Sequence, residues 1–122
     1  MTRYILDETN IHEAIRGKIS DNNKSLVEEA QRAIEQNAVV VIGMAQNPHC
    51  KKACKVLDKA NASYHYLEYG SYLKDWRKRN TFKMWTGWPT FPMVFIKGQL
   101  IGGASELQSL IKSKEYDQLV TA

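Results

Sequence analysis

The chain has 122 residues, 43% of them hydrophobic, and a formal net charge of +4. That suits one compact domain, and no apolar run approaches the roughly 20 residues that cross a bilayer, so a membrane-embedded protein is not expected. Two cysteines four residues apart do not make a disulfide framework, and the opening residues Met1-Thr2-Arg3-Tyr4 do not resemble a signal peptide, so a reducing, cytoplasmic setting is expected.

Residues 1–23 read as an N-terminal extension ahead of a domain over 24–122. In it, Asn10-Ile11-His12-Glu13 has capping-box spacing, and Ile11, Ala14 and Ile15 form a short stripe expected to end at Gly17. Ser20-Asp21-Asn22-Asn23 reads as a loop. Ser25 is expected to cap a helix whose face carries Leu26, Ala30, Ala33 and Ile34, stopping near Asn37. Residues 38–43 are continuously apolar and valine-rich, which suits a strand buried on both faces. The next helix turns Ala53, Cys54, Val56, Leu57 and Ala60 inward and Lys51, Lys55 and Lys59 to solvent. Residues 64–69 alternate like a second strand, and strand–helix–strand implies a parallel pair with a right-handed crossover. A helix over 73–85 is expected to anchor through Trp76, Phe82 and Trp85. The prolines of 86–92 make an extended loop. Strands 93–96 and 99–101 are joined through Lys97-Gly98, and Ser105 is expected to cap a last helix carrying Leu107, Leu110 and Ile111. The class is α/β, a mixed four-stranded sheet flanked by helices.

The chemistry centres on Asn47-Pro48-His49-Cys50, between the first strand and its helix. It has the shape of a Cys-x-x-Cys redox site, with asparagine at the first position. An amide cannot become the thiolate that attacks disulfides.

Several motifs in matching order resemble the glutaredoxin family of the thioredoxin fold, over roughly residues 25–122. Asn47-Pro48-His49-Cys50-Lys51-Lys52-Ala53 is similar to the family's Cys-Pro-Tyr-Cys-x-x-Ala. Thr86-Gly87-Trp88-Pro89-Thr90-Phe91-Pro92 resembles its Thr-Gly-x-x-Thr-Val-Pro loop, with Trp88-Pro89-Thr90 nearer the monothiol branch. The stretch from Phe95 to Gly103 resembles its hairpin and diglycine turn.

The resemblance implies a glutathione-linked thiol–disulfide oxidoreductase whose partners are glutathione or protein thiols and disulfides. Cys50 is then the candidate catalytic thiol, a monothiol of weak or lost activity because residue 47 is asparagine. The implied glutathione site comprises His49, Arg79 for a carboxylate, Phe91 for backbone pairing before a cis Pro92, and the N–H groups of Ala104 and Ser105. Met44 stands where the family has a lysine, and Ser105 where it has an aspartate, so two charged contacts are absent. The alternative is a non-catalytic module binding glutathione, a peptide or a protein partner.

Cys50 and Cys54 share a helix face at i, i+4. They admit a redox pair, a metal pair assisted by His49, or a plain core role for Cys54, which is the expectation. A second register would equate Cys50 with the single cysteine of Cys-Gly-Phe-Ser glutaredoxins, which hold an iron–sulfur cluster; the glycine and serine are missing here. His12 and His65 are expected on the surface. The Lys- and Arg-rich stretch 51–83 is expected to be solvated helix faces that steer an acidic partner rather than a nucleic-acid groove. No metal, nucleic-acid or membrane partner is expected, and the sequence leaves the oligomeric state open.

Overall fold

A computed structural model describes residues 3–121. After a 3₁₀ turn, Glu8–Asn10, come α1 (Glu13–Asp21), α2 (Lys24–Gln36), β1 (Val39–Gly43), α3 (Pro48–Lys59), β2 (His65–Glu68), α4 (Trp76–Thr86), β3 (Met93–Ile96), β4 (Gln99–Gly102), α5 (Ala104–Lys112) and α6 (Glu115–Thr121). The strands form one mixed sheet in the order β2-β1-β3-β4. β1 pairs parallel with β2, from Val40 opposite His65 to Gly43 opposite Glu68, and antiparallel with β3, from Val39 opposite Ile96 to Ile42 opposite Met93.

Because side chains alternate across a strand, the apolar run of β1 feeds two cores at once. Val40 and Ile42 pack with Ala30, Phe82, Met93 and Phe95 beneath α2 and α4. Val39 and Val41 pack with Ala53, Leu57, Val94, Ile96 and Leu107 beneath α3 and α5. All five residues of β1 are buried, as a central strand requires. The β3–β4 hairpin turns on Lys97 at φ 51° and Gly98 at φ 83°, the two positive values of a type I′ turn.

Several boundaries differ from those expected. α1 runs through Gly17 to Asp21, although the stripe was expected to end at Gly17 and a loop to begin at Ser20. His12 caps it, Nδ1 accepting the Ala14 N–H at 3.0 Å. A solvent-facing glycine weakens a helix by only about 1 kcal/mol, too little to end one. α2 begins at Lys24, and Ser25 is not its cap. Asn23 precedes it in the left-handed region and donates through Nδ2 to Thr81 Oγ1 at 2.8 Å, tying α2 to α4.

α4 starts at Trp76 rather than 73. Residues 71–74 instead close a turn with Ser71 N–H to Lys74 O at 3.1 Å and Lys74 N–H to Ser71 O at 3.3 Å. Phe82 and Trp85 are the expected anchors: Phe82 lies 4.7 Å from Tyr69 and 6.5 Å from Trp85 between ring centroids, and Trp85 stacks on Phe95. Trp76 is not an anchor; it is 55% exposed, with the Arg77 guanidinium over its ring. Gly103, not Ser105, precedes the first residue of α5. The last helical stretch is two helices, broken where Lys114 adopts φ 67°. Cys54 is only half-buried rather than a core residue.

Candidate functional site

The site forms where β1 ends and α3 begins. Asn47 precedes the first turn of α3 with an extended backbone, and Pro48 supplies the helix's first φ. Its side-chain Oδ1 accepts the N–H groups of His49 at 2.8 Å and Cys50 at 3.0 Å. Its Nδ2 lies 3.4 Å from the Tyr72 hydroxyl, which arrives from the turn before α4. Asn47 is 7% exposed and both ends of its amide are engaged. The donors that would stabilise a thiolate at this position therefore hold a neutral oxygen.

Cys50 sits one turn further in and is 1% exposed. Burial pushes its thiol pKa above the ordinary value; the Met44 backbone N–H opposes this, while Cys54 and the Glu68 carboxylate add to it. Cys54 is likewise pushed up by burial, against a hydrogen bond from Tyr64. The Tyr66 ring lies beside Cys50 and over Gly43: a Cβ added at Gly43 would meet the Tyr66 hydroxyl at 2.7 Å and the Cys50 sulfur at 3.1 Å. Tyr66 donates to Glu68 at 3.2 Å, and its own pKa is raised by burial. This is an enclosed setting with the Glu68 carboxylate acting on the thiol, unlike the electropositive one that activates a thiol. Among the described residues, no group of three or more His, Cys, Asp or Glu is arranged to hold a metal.

The other residues named from the sequence occupy three places. His49 is exposed in the first turn of α3. Arg79 is buried, and its Nη1 donates to Lys74 O at 2.6 Å and lies 3.5 Å from Tyr69 O. That nitrogen holds the turn before α4 instead of standing free for a ligand carboxylate. Phe91 and Pro92 are buried and joined by a cis peptide bond, with the Lys83 ammonium 5.9 Å from the centre of the Phe91 ring. Phe91 makes no backbone hydrogen bond among the described residues. α5 begins beside this loop, since a Cβ at Gly103 would lie 3.3 Å from Pro92 O and 3.8 Å from Trp88 Nε1. That indole N–H is buried without a partner among the described residues. Ala104 is buried and Ser105 exposed, and neither N–H has an acceptor among the described residues.

Glu106, Tyr72 and the capping role of Asn47 were not named from the sequence. Glu106 Oε1 accepts the Gly103 N–H at 2.8 Å, placing a carboxylate at the start of α5. Its spacing of three from the N-cap is a readable signal. Asn followed by Pro ahead of a helix likewise signals the cap that Asn47 provides. Tyr72 carries no such signal; its place over Asn47 arises from the tertiary fold.

Comparison with known proteins gives a consistent result. The glutaredoxin family model matches residues 39–101. A glutaredoxin-like protein of Dictyostelium discoideum is 45% identical over 94 residues, covering 77% of this chain and 76% of that one. A mitochondrial monothiol glutaredoxin of Arabidopsis thaliana is 30% identical over 103 residues, covering 80% of this chain and 59% of the other. Among solved structures, a buckwheat glutaredoxin–glutathione complex matches with a TM-score of 0.70 at 23% identity, over 83% of this chain and 92% of that one.

Proposed function

Since the chain belongs to the glutaredoxin family, we propose that it is a member in which thiol–disulfide exchange through Cys50 is weak or lost, while the groove still binds a thiol peptide of the glutathione type. The observation that carries this reading is the amide of Asn47 accepting both the His49 and Cys50 N–H groups. An attacking sulfur needs exposure and thiolate character. Cys50 is 1% exposed, and its pKa is raised.

Three features support the retained groove. The Phe91 backbone is available to pair with an extended ligand, and the Ala104 and Ser105 N–H groups are available to a carboxylate at a helix N-terminus. The buckwheat relative is a glutathione complex. Weak affinity is expected, because Met44 and Ser105 carry no charge and Arg79 Nη1 is bound to backbone carbonyls. The two unpaired cysteines fit a reducing compartment such as the cytoplasm.

The reading in which Cys50 acts as a working monothiol draws on the monothiol relative, and one experiment separates the two. Glutathione-dependent reduction of a small mixed disulfide is measured beside a dithiol glutaredoxin, with a glutathione titration followed by NMR. The expectation is turnover at least about 100-fold below the dithiol enzyme, with binding near the millimolar range of about −4 kcal/mol. Comparable turnover, abolished by Cys50→Ser, would establish the monothiol reading instead.

A further inference from the structure

The turn before α4 and the first turn of that helix present side chains that the core does not use, with only the Tyr72 hydroxyl reaching the candidate site among the described residues. Residues 72–78 are all exposed. Leu73 is 93% exposed, Tyr72 62% and Trp76 55%. Lys74, Arg77 and Lys78 lie among them, with Asp75 the one carboxylate of the run. Scattered apolar side chains on a surface call for no explanation, but three within five residues, interleaved with cations, do.

The face is built rather than loose. Its tip, Tyr72-Leu73, is the centre of a turn closed by the two Ser71–Lys74 backbone bonds. Arg79 Nη1 holds the Lys74 carbonyl from the buried side. The Arg77 guanidinium stands 5.2 Å from the centre of the Trp76 ring. A cleft of ≈ 470 Å³ opens beside Trp76, lined by Asn22, Asn23, Asp75, Arg77 and Lys78. Through the Tyr72 hydroxyl, 3.4 Å from Asn47 Nδ2, the face is continuous with the candidate site.

We propose that this face docks an acidic segment of a protein partner, with an apolar side chain of that segment seated beside Trp76. The charge count selects the partner. Nucleic-acid binding of ordinary strength neutralises about 6–10 phosphates, and a polybasic membrane site gathers about 4–8 cations. Lys74, Arg77 and Lys78, set beside Asp75, fall short of both. They match a short run of Asp or Glu alternating with Leu or Phe, and exposed aromatics beside an arginine are the side chains that dominate protein interfaces. The docking does not depend on occupancy of the glutathione groove.

The test uses the intact chain and a short fluorescein-labelled peptide alternating Glu with Leu and Phe, beside a counterpart with Lys for Glu. Two variants report on the face: Trp76→Ala, and the double change Arg77→Glu with Lys78→Glu. Carboxylates are favourable in the first turn of a helix, so the charge reversal leaves folding intact, which circular dichroism checks. The acidic peptide is expected to bind, more weakly as salt rises, and each variant to lose about tenfold in affinity while its glutathione titration is unchanged. Equal binding of the Lys peptide, unchanged affinity in both variants, or no binding at about 1 mM peptide would overturn the proposal. So would tighter, variant-sensitive binding to phosphatidylserine vesicles or to oligouridine.

Discussion

Two helix N-termini serve this site, and the chain caps them differently. At α3 the cap is a neutral amide reaching forward: Asn47 Oδ1 takes the N–H groups of the second and third helical residues. At α5 the cap is a carboxylate reaching back: Glu106 takes the N–H of Gly103, one residue before the helix. The first arrangement consumes the donors that would meet an incoming anion or thiolate. The second leaves the Ala104 and Ser105 N–H groups without an acceptor among the described residues but sets a negative charge beside them. On the function proposed above, α3 would lack the anion-stabilising chemistry of its terminus, whereas α5 would keep binding capacity at reduced strength.

The largest expected effect reverses the first of these. Asn47→Cys places a thiol where two N–H groups converge, and its pKa should fall below the free value of about 8.5. Glutathione-dependent turnover should then rise on the order of 100-fold. A thiol at 47 with an ordinary pKa and no gain in turnover would break the comparison, because the defect would lie elsewhere in the groove.

Next is the stability that the amide supplies. Asn47→Ala removes the acceptor for two N–H groups and should lower stability by about 1–2 kcal/mol, read as a shift in the urea midpoint. A loss of only a few tenths would show the cap to be replaceable by water. Titration of Cys50 sharpens the same contrast. Its pKa is raised by burial, so folding favours the protonated thiol. That contribution is complete below the unfolded-state pKa, near 8.5, and is lost as pH climbs through the higher folded value. The urea midpoint should therefore fall above about pH 8.5, and less steeply in Cys50→Ala. Alkylation of Cys50 in Cys54→Ser should be slow until the same range.

The smallest effect concerns α5. Glu106→Gln keeps an oxygen for the Gly103 N–H and removes the charge. Glutathione affinity should rise about 2- to 5-fold at low ionic strength, and the gain should shrink with salt. No change at low salt would mean that carboxylate binding does not use this helix end.

The sheet and the α3 register were legible because hydrophobic period records burial directly: β1 is apolar on both faces, and α3 alternates lysines with its buried stripe. The start of α4 was not legible. Residues 71–74 close a turn instead, and the Arg79 guanidinium reaches back to the Lys74 carbonyl, a side-chain-to-backbone bond that hydrophobic periodicity does not record. The break between α5 and α6 was hidden for a related reason. Lys114 takes a left-handed conformation without Gly or Pro to announce it. Within the site, the missing thiol was plain in the sequence. What replaced it energetically, a doubly engaged amide covered by Tyr72, was visible only in the fold.

The Asn47 cap also separates the scaffold from the oxidation state of its surroundings. In a dithiol site, the charge at the head of this helix changes whenever the sulfur is oxidised, reduced or capped. Here the atom in that position carries no proton to lose and no electrons to trade. The two cysteine sulfurs are buried or half-buried, with pKa values shifted away from the thiolate. Peroxide or a shift in the glutathione couple should leave the helix head unchanged. The docking proposed for the neighbouring α4 face would then be constitutive with respect to redox potential.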